Sequence, residues 1–343
     1  MGVRSVSAGE DGRGRAIVIG DVARLAGVSV PTVSRVLTGA ARVSDEKRER
    51  VERAIKTLNF RPSAAARALV ARQPKMIAVF AGDTSRYGYA ETIRGIEESA
   101  RKSGYLVSIT KVEDNAEDRL DDAVDLVLGQ SIAGIIVLKF DPAGVAVLKR
   151  LPEDIHTVSI SGVREKGVPQ ALLSESAAAQ KLIAHLLDLG HDTVHHVRIP
   201  PSRREEGRTT GWRNALKLRG ASIPPVIDAG WEPASGRSIG TELAARPDVT
   251  AVFCGNDEIA MGVIRGLADG GRRVPDDVSV VGFDDHPLAE MWVPALTTVR
   301  QDFAELGSRA FGQLLSLIQG RPTASITTVE PDVVVRESSG PRA

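Results

Sequence analysis

The pattern of hydrophobic and polar positions between residues 19 and 60 predicts three short helices. Their apolar stripes are Val22, Leu25 and Ala26; Val33, Val36 and Leu37; and Val51, Ala54, Ile55 and Leu58. Gly27 can form the turn after the first helix, and Ser29 can cap the second, which tolerates Pro31 in its first turn. Ser44 is a suitable N-cap for the third helix. This is the pattern of a helix-turn-helix module.

From Met76 onward the pattern changes to short apolar runs separated by loops or by segments with helical periodicity. The runs read MIAVFA, LVSIT, GIIVL, HTVSIS, HHVRI, TAVFC and VSVVGF. Such βαβ alternation is typical of parallel sheets that are covered by helices on both faces. It predicts two doubly wound lobes with sheets of comparable size.

Length and composition indicate a multidomain globular protein. A chain of 343 residues exceeds what one hydrophobic core normally supports, and it is 42% hydrophobic and 26% charged. No apolar run approaches the roughly 18 residues of a membrane span, and the first 15 residues lack the apolar stretch of a signal peptide. We therefore expect a cytoplasmic protein without a membrane partner.

The charge distribution sets the first 75 residues apart from the rest of the chain. The whole chain is neutral, with 44 basic and 44 acidic residues, but residues 1–75 hold 15 Lys or Arg against 7 Asp or Glu. The remaining residues carry the matching excess of negative charge. A basic segment before an acidic body is typical of one module that binds phosphates, although charge alone does not exclude a solvated basic face.

The segment VARLAGVSVPTVSRVL, at residues 22–37, is followed by VSDEKRERV and LNFRPSAAARAL. These segments resemble the headpiece of the lac repressor (LacI–GalR) family of bacterial regulators, and the resemblance extends from residue 19 to about residue 337. It implies an all-α helix-turn-helix headpiece and an α/β periplasmic-binding-protein-like core of two doubly wound parallel-sheet lobes. It also implies a transcription regulator, most often a repressor, that binds a palindromic operator. The alternative, a helical hairpin without a DNA role, leaves Thr32, Ser34 and Arg35 beside a basic surface unexplained.

The resemblance also predicts the domain boundaries. We expect a disordered tail over 1–16, the headpiece over 17–62, a hinge helix and linker over 63–74, and the effector-binding and dimerisation core over 75–343. In this family the chain crosses between the lobes three times. The first lobe is therefore expected over about 75–172 and 301–330, and the second over about 173–300 and 331–343.

By resemblance, the second helix lies in the major groove and the hinge helix in the minor groove. The residues implied in DNA binding are Val30, Pro31, Thr32, Ser34, Arg35, Arg42, Ser44, Arg67 and Leu69. Arg35 can make a bidentate contact to a guanine, whereas Val30 and Pro31 offer only apolar contacts. Leu69 matches the residue that wedges between base pairs, although an ordinary alanine-rich linker remains the alternative for this segment.

Ligands of such cores bind in the crevice between the lobes. The residues that match effector positions of the family are Tyr87, Tyr89, Ser161, Arg208, Trp231, Asn256, Asp284 and Phe303. Trp231 can stack on a sugar or base ring, and Arg208 and Asp284 can bind hydroxyl groups. Asn256 could instead cap the following helix, and Asp284 could be a turn residue.

Three departures from the family pattern affect the ligand more than the fold. Ser161 replaces a common aspartate, Ser174-Glu175 replaces Asp-Asn, and Arg86-Tyr87-Gly88 replaces Asn-Pro-Phe. A carbohydrate effector is still expected from the resemblance, and a nucleoside is the alternative. The tail after Val335 lacks the leucine heptads of a four-chain bundle, so we expect a homodimer.

An enzyme, a metal site and a cofactor are not expected. The chain contains no dinucleotide-binding, P-loop, HExxH or nucleophile-elbow motif. Four histidines, at positions 185, 191, 195 and 196, cluster in sequence, but a structural role is favoured over a metal site. His191 follows Gly190 at a helix C-terminus, where a cation is favoured, and His195 and His196 are expected to point to opposite faces of a strand. Cys254 lies in an apolar run and is expected to be a buried thiol. A secreted transport protein would share the core fold but not the headpiece.

Overall fold

The computed structural model describes residues 17–38, 43–60, 74–113, 117–164, 167–202 and 207–342. They form two compact units that divide between Pro74 and Lys75. The predicted N-terminal tail lies outside the described residues, as do Arg42 and the hinge residues Arg67 and Leu69. In the described part of the chain, no helix is both long and apolar enough to span a bilayer.

The N-terminal unit contains three helices, α1 (Ile19–Ala26), α2 (Val30–Thr38) and α3 (Asp45–Leu58). Its core consists of Val22, Ala23, Ala26, Val33, Val51 and Ala54. Gly27 ends α1 with φ 63°, a left-handed conformation that favours glycine. Leu25 and Leu37, which the pattern placed on the apolar stripes, are exposed, because so small a module buries only the centre of each stripe.

Two predicted side-chain caps differ from the structure. Ser44 precedes α3 in extended conformation, but its side chain makes no capping hydrogen bond. Ser29 begins α2 through its carbonyl, which accepts from the amides of Thr32 and Val33, while its hydroxyl lies 2.9 Å from the Thr32 hydroxyl. The predicted positions are thus correct, and the predicted hydrogen bonds are not made.

The second unit, from Lys75 onward, alternates strands and helices. Its helices are α4 (Tyr87–Lys102), α5 (Glu117–Leu128), α6 (Pro142–Leu148), α7 (Glu175–Asp188), α8 (Gly207–Leu218), α9 (Pro233–Ala244), α10 (Asp257–Asp269), α11 (Leu288–Met291) and α12 (Phe303–Ile318). Its strands are β1 (Met76–Ala81), β2 (Leu106–Lys111), β3 (Gly134–Leu138), β4 (Thr157–Ser161), β5 (Gln170–Leu173), β6 (His195–Arg198), β7 (Ile227–Asp228), β8 (Ala251–Cys254), β9 (Ser279–Val281), β10 (Thr298–Arg300), β11 (Ile326–Val329) and β12 (Asp332–Val334).

The first lobe is built on a parallel sheet of order β11-β5-β4-β3-β1-β2. Strand β1, which lies between β3 and the edge strand β2, is buried on both faces. Ile77 and Val79 belong to the core formed with α4 and α12, and Ala78 and Phe80 to the core formed with α5 and α6. An unbroken apolar run is what a parallel strand between two helical layers requires. The predicted doubly wound architecture is confirmed here.

The second lobe has a smaller parallel sheet of order β7-β6-β8-β9. The prediction of sheets of comparable size is wrong, because β7 spans two residues and β10 pairs with β12 in a separate antiparallel ribbon. Helices α9 and α10 pack at backbone contact, since a Cβ added to Gly262 would lie 2.1 Å from the Pro233 carbonyl. Close helix packing of this kind requires small residues.

The chain passes between the two lobes three times, from β5 to α7, from β10 to α12 and from β11 to β12. The second crossing brings α12 and β11 back to the first lobe, where β11 lies beside β5. After the third crossing, the Ser338 amide bonds to the Ala295 carbonyl in the second lobe. Several connections between two lobes are typical of cores that close around a ligand.

Candidate functional site

A cleft that is partly open to solvent lies between the two lobes, with about 720 Å³ of empty space that includes open solvent. Its lining residues follow the carboxyl ends of parallel strands, where ligands of open α/β sheets bind. The lining contains Arg86, Tyr87, Gly88, Tyr89, Lys139, Phe140, Gly162, Val163, Leu173, Glu175, Ile199, Pro200, Ser202, Arg208, Trp231, Asn256, Glu258, Asp284 and Phe303.

Seven of the eight predicted effector residues line this cleft, and Ser161 does not. The Ser161 hydroxyl donates to the Val163 carbonyl at 2.7 Å and accepts from the Val163 amide at 2.9 Å. Both bonds close a local turn at the end of β4. Ser161 is therefore engaged by its own loop and offers no free polar group to the cleft.

Arg208, near the start of α8, lies between two carboxylates. Its Nε and Nη2 atoms lie 3.1 and 2.9 Å from Glu175 Oε1, and Nη2 lies 3.1 Å from Asp284 Oδ1. A third donor, Nη1, bonds to the Gly255 carbonyl. The guanidinium also stacks over the Phe283 ring at 4.5 Å. These contacts fix the orientation of Arg208 within the cleft.

Asp284 is a turn residue and a cleft residue at once. Its backbone has a φ of 112°, and its buried Oδ1 accepts from Gln301 Nε2 at 2.7 Å. Burial raises the pKa of Asp284 to about 7, although nearby Arg208 favours the charged form. The carboxyl therefore exchanges a proton near neutral pH. Asp284 thus lies at a turn and also lines the cleft.

The side chain of Arg86 lies over the ring of Trp231. The Arg86 guanidinium carbon lies 4.2 Å from the ring centroid, a cation–π geometry. Arg86 stands at the N-terminus of α4 in the first lobe, whereas Trp231 packs against the second-lobe core. The contact therefore crosses the cleft, and a ligand that stacks on this face of the ring must displace Arg86.

The aromatic residues of the first lobe divide between cleft and core. Tyr87 meets Phe303 at 5.9 Å and, across the cleft, His286 at 4.9 Å between ring centroids. Burial raises the pKa of Tyr87 to about 12. Tyr89 is only 3% exposed, and its hydroxyl donates to Asp141. Tyr89 thus has a structural role that sequence reasoning did not anticipate.

Asn256 caps α10, as one of its two sequence interpretations predicted. Its Oδ1 accepts from the Ile259 amide at 3.0 Å, and the residue also lines the cleft. The neighbouring Asp257 is buried and accepts from the Thr298 hydroxyl at 2.5 Å and the His286 amide at 2.6 Å. Burial raises the pKa of Asp257 well above its usual value. Asp257 therefore joins three segments of the second lobe.

Three of the four clustered histidines, His191, His195 and His196, are buried. His191 contacts the Thr250 and Ser279 hydroxyls at 3.0 and 3.1 Å, and burial lowers its pKa. Desolvation therefore favours the neutral imidazole of His191, although it lies at a helix C-terminus, where a cation is favoured. His196 stacks on Phe253 with ring centroids 4.6 Å apart. The described residues contain no group of three or more His, Cys, Asp or Glu suited to a metal ion.

Cys254 is buried, as predicted, and burial raises the pKa of its thiol. The low thiolate population that follows makes this residue inert as a nucleophile. It packs in the core that β6 and β8 form with α9 and α10.

In the N-terminal unit, α2 buries Val33 and leaves one side exposed. Val30, Pro31 and Arg35 are exposed, and Thr32 and Ser34 are half-buried. Ser44, at the start of α3, is exposed as well. The three predicted base-reading residues are thus accessible on one short helix, as major-groove recognition requires.

Sequence reasoning did not identify Glu175, Lys139 and Glu258 as cleft residues, and it treated Arg86 only as a departure from a motif. The position of Glu175, after a predicted strand and at the start of a predicted helix, is a sequence signal that could have identified it as a cleft residue. Its pairing with Arg208, 33 positions further on, had no local signal.

Two family models match the chain. The model for bacterial regulatory proteins of the lacI family matches residues 18–63. The model for the periplasmic binding protein-like domain matches residues 183–339, which include parts of both lobes.

Curated relatives match almost the whole chain. The HTH-type transcriptional repressor PurR of Erwinia tasmaniensis is 32% identical over 332 residues, which cover 93% of this chain and 96% of the relative. The ribose operon repressor of Haemophilus influenzae is 31% identical, with 93% and 97% covered. The lactose operon repressor of Escherichia coli K12 is 28% identical, with 94% and 91% covered.

Solved structures agree with these relatives. The crystal structure of the lac repressor dimer bound to operator and the anti-inducer ONPF matches with a TM-score of 0.88 at 27% identity, covering 95% of this chain and 100% of that one. The complex of the transcriptional regulator CelR with cellobiose matches with a TM-score of 0.68 at 27% identity, covering 94% and 100%.

Proposed function

The chain belongs to the LacI family of bacterial regulatory proteins, and we propose that it is a transcription repressor that binds a palindromic DNA operator as a homodimer. A small-molecule effector, most simply a sugar, binds in the cleft between the lobes and changes the affinity for the operator. The repressor acts in the cytoplasm, where its DNA is. The proposal contains no catalytic step.

The observation that carries the DNA-binding part is the exposure of Val30, Pro31 and Arg35 on α2. Arg35 reads a guanine in the major groove, and a good bidentate contact contributes about 1–3 kcal/mol of discrimination. Thr32, Ser34 and Ser44, together with Arg42, contact phosphates. Since those contacts displace counterions, affinity falls steeply as salt rises.

The effector part is supported by the residues that converge on the cleft. The cleft brings the aromatic ring of Trp231 together with the polar groups of Arg208, Asn256 and Asp284, so one wall can stack on a ring while the others bind hydroxyl groups. Relatives named for the ribose and lactose operons, and the cellobiose complex of CelR, favour a carbohydrate. Trp231 would stack on a base as well, so nucleosides form the second ligand class.

The dimer is supported by symmetry. An inverted repeat presents two half-sites related by a two-fold axis, and each chain supplies one recognition helix. The lac repressor structure that matches this chain is a dimer bound to operator.

A ligand screen tests the effector part. Thermal unfolding is measured with sugars, phosphosugars and nucleosides, because a ligand that binds the native state raises its stability. Each compound that stabilises the protein is then tested for its effect on operator affinity by fluorescence anisotropy. A compound that stabilises the core and changes operator affinity supports the proposal. A stabilising ligand without any effect on operator binding contradicts it.

A further inference from the structure

The turn Arg86-Tyr87-Gly88, which departs from the family pattern, reaches across the cleft with two side chains. The Arg86 guanidinium carbon lies 4.2 Å from the centroid of the Trp231 ring. The Tyr87 ring meets the His286 ring with centroids 4.9 Å apart and planes at 62° to each other. Arg86 and Tyr87 belong to the first lobe, whereas Trp231 and His286 belong to the second. One short turn therefore supplies two contacts between the lobes.

On the first-lobe side, this turn is held in place by its neighbours. Asp83 Oδ1 accepts from the Arg86 amide at 3.1 Å, and Asp83 Oδ2 lies 3.7 Å from Arg86 Nε. The Phe303 ring packs edge-on against Tyr87. A Cβ added to Gly88 would lie 2.9 Å from the same Phe303 ring, so glycine lets the turn rest on it. Both side chains thus leave a backbone whose position is fixed.

On the second-lobe side, the two partners are fixed as well. The His286 amide donates to the buried Asp257 Oδ2 at 2.6 Å, and the ring Nδ1 of His286 accepts from the Leu288 amide at 3.0 Å. Trp231 packs against the apolar core of the second lobe. Contacts between preorganised groups cost little further ordering, so more of their interaction free energy remains to hold the lobes together.

The lobes also touch beside this turn. Gly162 follows β4 in the first lobe, and a Cβ added to it would lie 2.2 Å from Oε2 of Glu175 on α7. Glycine therefore lets the second-lobe carboxylate lie against the first lobe. All three of these contacts are made by groups of the protein itself, and none of them needs a ligand to bridge the cleft.

We propose that Arg86 and Tyr87 form a latch that holds the two lobes closed without an effector. The cation on Trp231 covers the face of the ring on which an aromatic or sugar ring would stack. An effector that stacks there releases Arg86 and weakens the latch. Only this regulatory consequence rests on the proposed effector function, because the closed core can be measured without any ligand.

The distance between the lobes tests the latch. Cys254, the one cysteine of the chain, is buried, so spin labels can be attached at Lys102→Cys on α4 and Glu242→Cys on α9, two exposed positions. Coexpression with an excess of unlabelled chain gives dimers that are labelled on one chain only. Double electron–electron resonance then measures the distance in the full-length protein without added ligand. We expect one dominant, short distance in the wild type.

Substitutions remove one contact at a time. Arg86→Ala and His286→Ala should each raise the population of a longer distance about two- to tenfold, as expected for loss of one cation–π or aromatic contact. Arg86→Lys keeps a cation for the ring and should stay closed. Arg94→Ala is the matched control, because Arg94 pairs with Glu91 and Glu98 on its own helix, and it should give the wild-type distance.

A double-mutant cycle shows whether the contact between Arg86 and Trp231 is responsible. Trp231→Leu keeps an apolar side chain but removes the ring, so adding it to Arg86→Ala should open the core no further than either substitution alone. Thermal unfolding shows that each variant is folded. Additive opening in this cycle, or a wild-type distance in the variant that combines Arg86→Ala with His286→Ala, would overturn the latch.

Operator affinity separates the latch from the proposed function. The variant that combines Arg86→Ala with His286→Ala is titrated by fluorescence anisotropy against an operator duplex selected from random DNA. We expect its affinity to differ from that of the wild type by about fivefold or more, a usual size for coupling between two sites. If the distance between the lobes changes and operator affinity does not, the latch stands and the proposed control of operator binding by the cleft fails.

Discussion

The buried carboxyl of Asp284 makes the stability of the core depend on pH. Its pKa in the folded protein is about 7, whereas the ordinary value is 3.8. The folded state therefore holds the proton more tightly than the unfolded chain does between about pH 4 and pH 7. As pH rises through this window, the folded protein must ionise a buried group, so the free energy of unfolding falls.

The magnitude follows from the size of the pKa difference. A change from 3.8 to about 7 is roughly three pKa units, and each unit corresponds to about 1.4 kcal/mol, so the loss approaches about 4 kcal/mol above pH 7. An asparagine at this position would have no proton to lose. The Asp284→Asn variant should therefore gain stability relative to the wild type by about that amount between about pH 4 and pH 8.

Urea unfolding followed by tryptophan fluorescence at several pH values measures this difference. Asp125→Asn removes an exposed carboxylate on α5 and serves as the matched control, which should follow the wild type at every pH. If the difference in stability between Asp284→Asn and the wild type stays constant across the window, the carboxyl does not titrate as the structure indicates.

Two substitutions and one measurement of mass test other features of the protein. Arg86→Ala removes a cation–π contact of about 1 kcal/mol from the Trp231 ring, so an effector that stacks on this ring should bind about fivefold more tightly, as measured by calorimetry. Unchanged affinity would show that Arg86 and the effector do not compete for the ring. Gly262→Ala should destabilise the core in urea by about 1–3 kcal/mol, because its Cβ meets the Pro233 carbonyl, whereas Gly312→Ala, with open space around it, should not. Light scattering should give about twice 36.5 kDa, and a stable monomer would contradict the dimer.

Much of the fold could be predicted because its elements have strong periodic signals. The run MIAVFA is apolar at every position, and in β1 it packs between two helical layers. The predictions failed where burial or strand formation depends on the surrounding elements, because the hydrophobic period of a segment does not show what packs against it. Leu25 fits a helical stripe but lies beyond the small core, and Ile227 and Asp228 form a strand too short for a pattern.

The contacts within the cleft could not be predicted either, because they join residues that lie far apart in the sequence. Trp231 and Asp284 were found from a family resemblance, and the structure brings them to one cleft. The Arg86 contact with Trp231 and the Glu175 contact with Gly162 join the two lobes, so no local pattern could predict them. The buried state of His191 depends on Ser279 and on the chain near Gly340, which lie far from it in sequence.

Binding-site selection from random duplex DNA tests whether α2 is the recognition helix of a sequence-specific DNA-binding protein. Wild-type protein and Arg35→Ala are each used to enrich duplexes, and the enriched sites are then titrated at several salt concentrations. We expect the wild type to enrich one inverted repeat. Arg35→Ala should lose the preference at a single symmetric pair of positions, while its salt-dependent nonspecific binding persists. Enrichment of no symmetric site by the wild type, or an unchanged preference in Arg35→Ala, would contradict the assignment of α2 as the recognition helix.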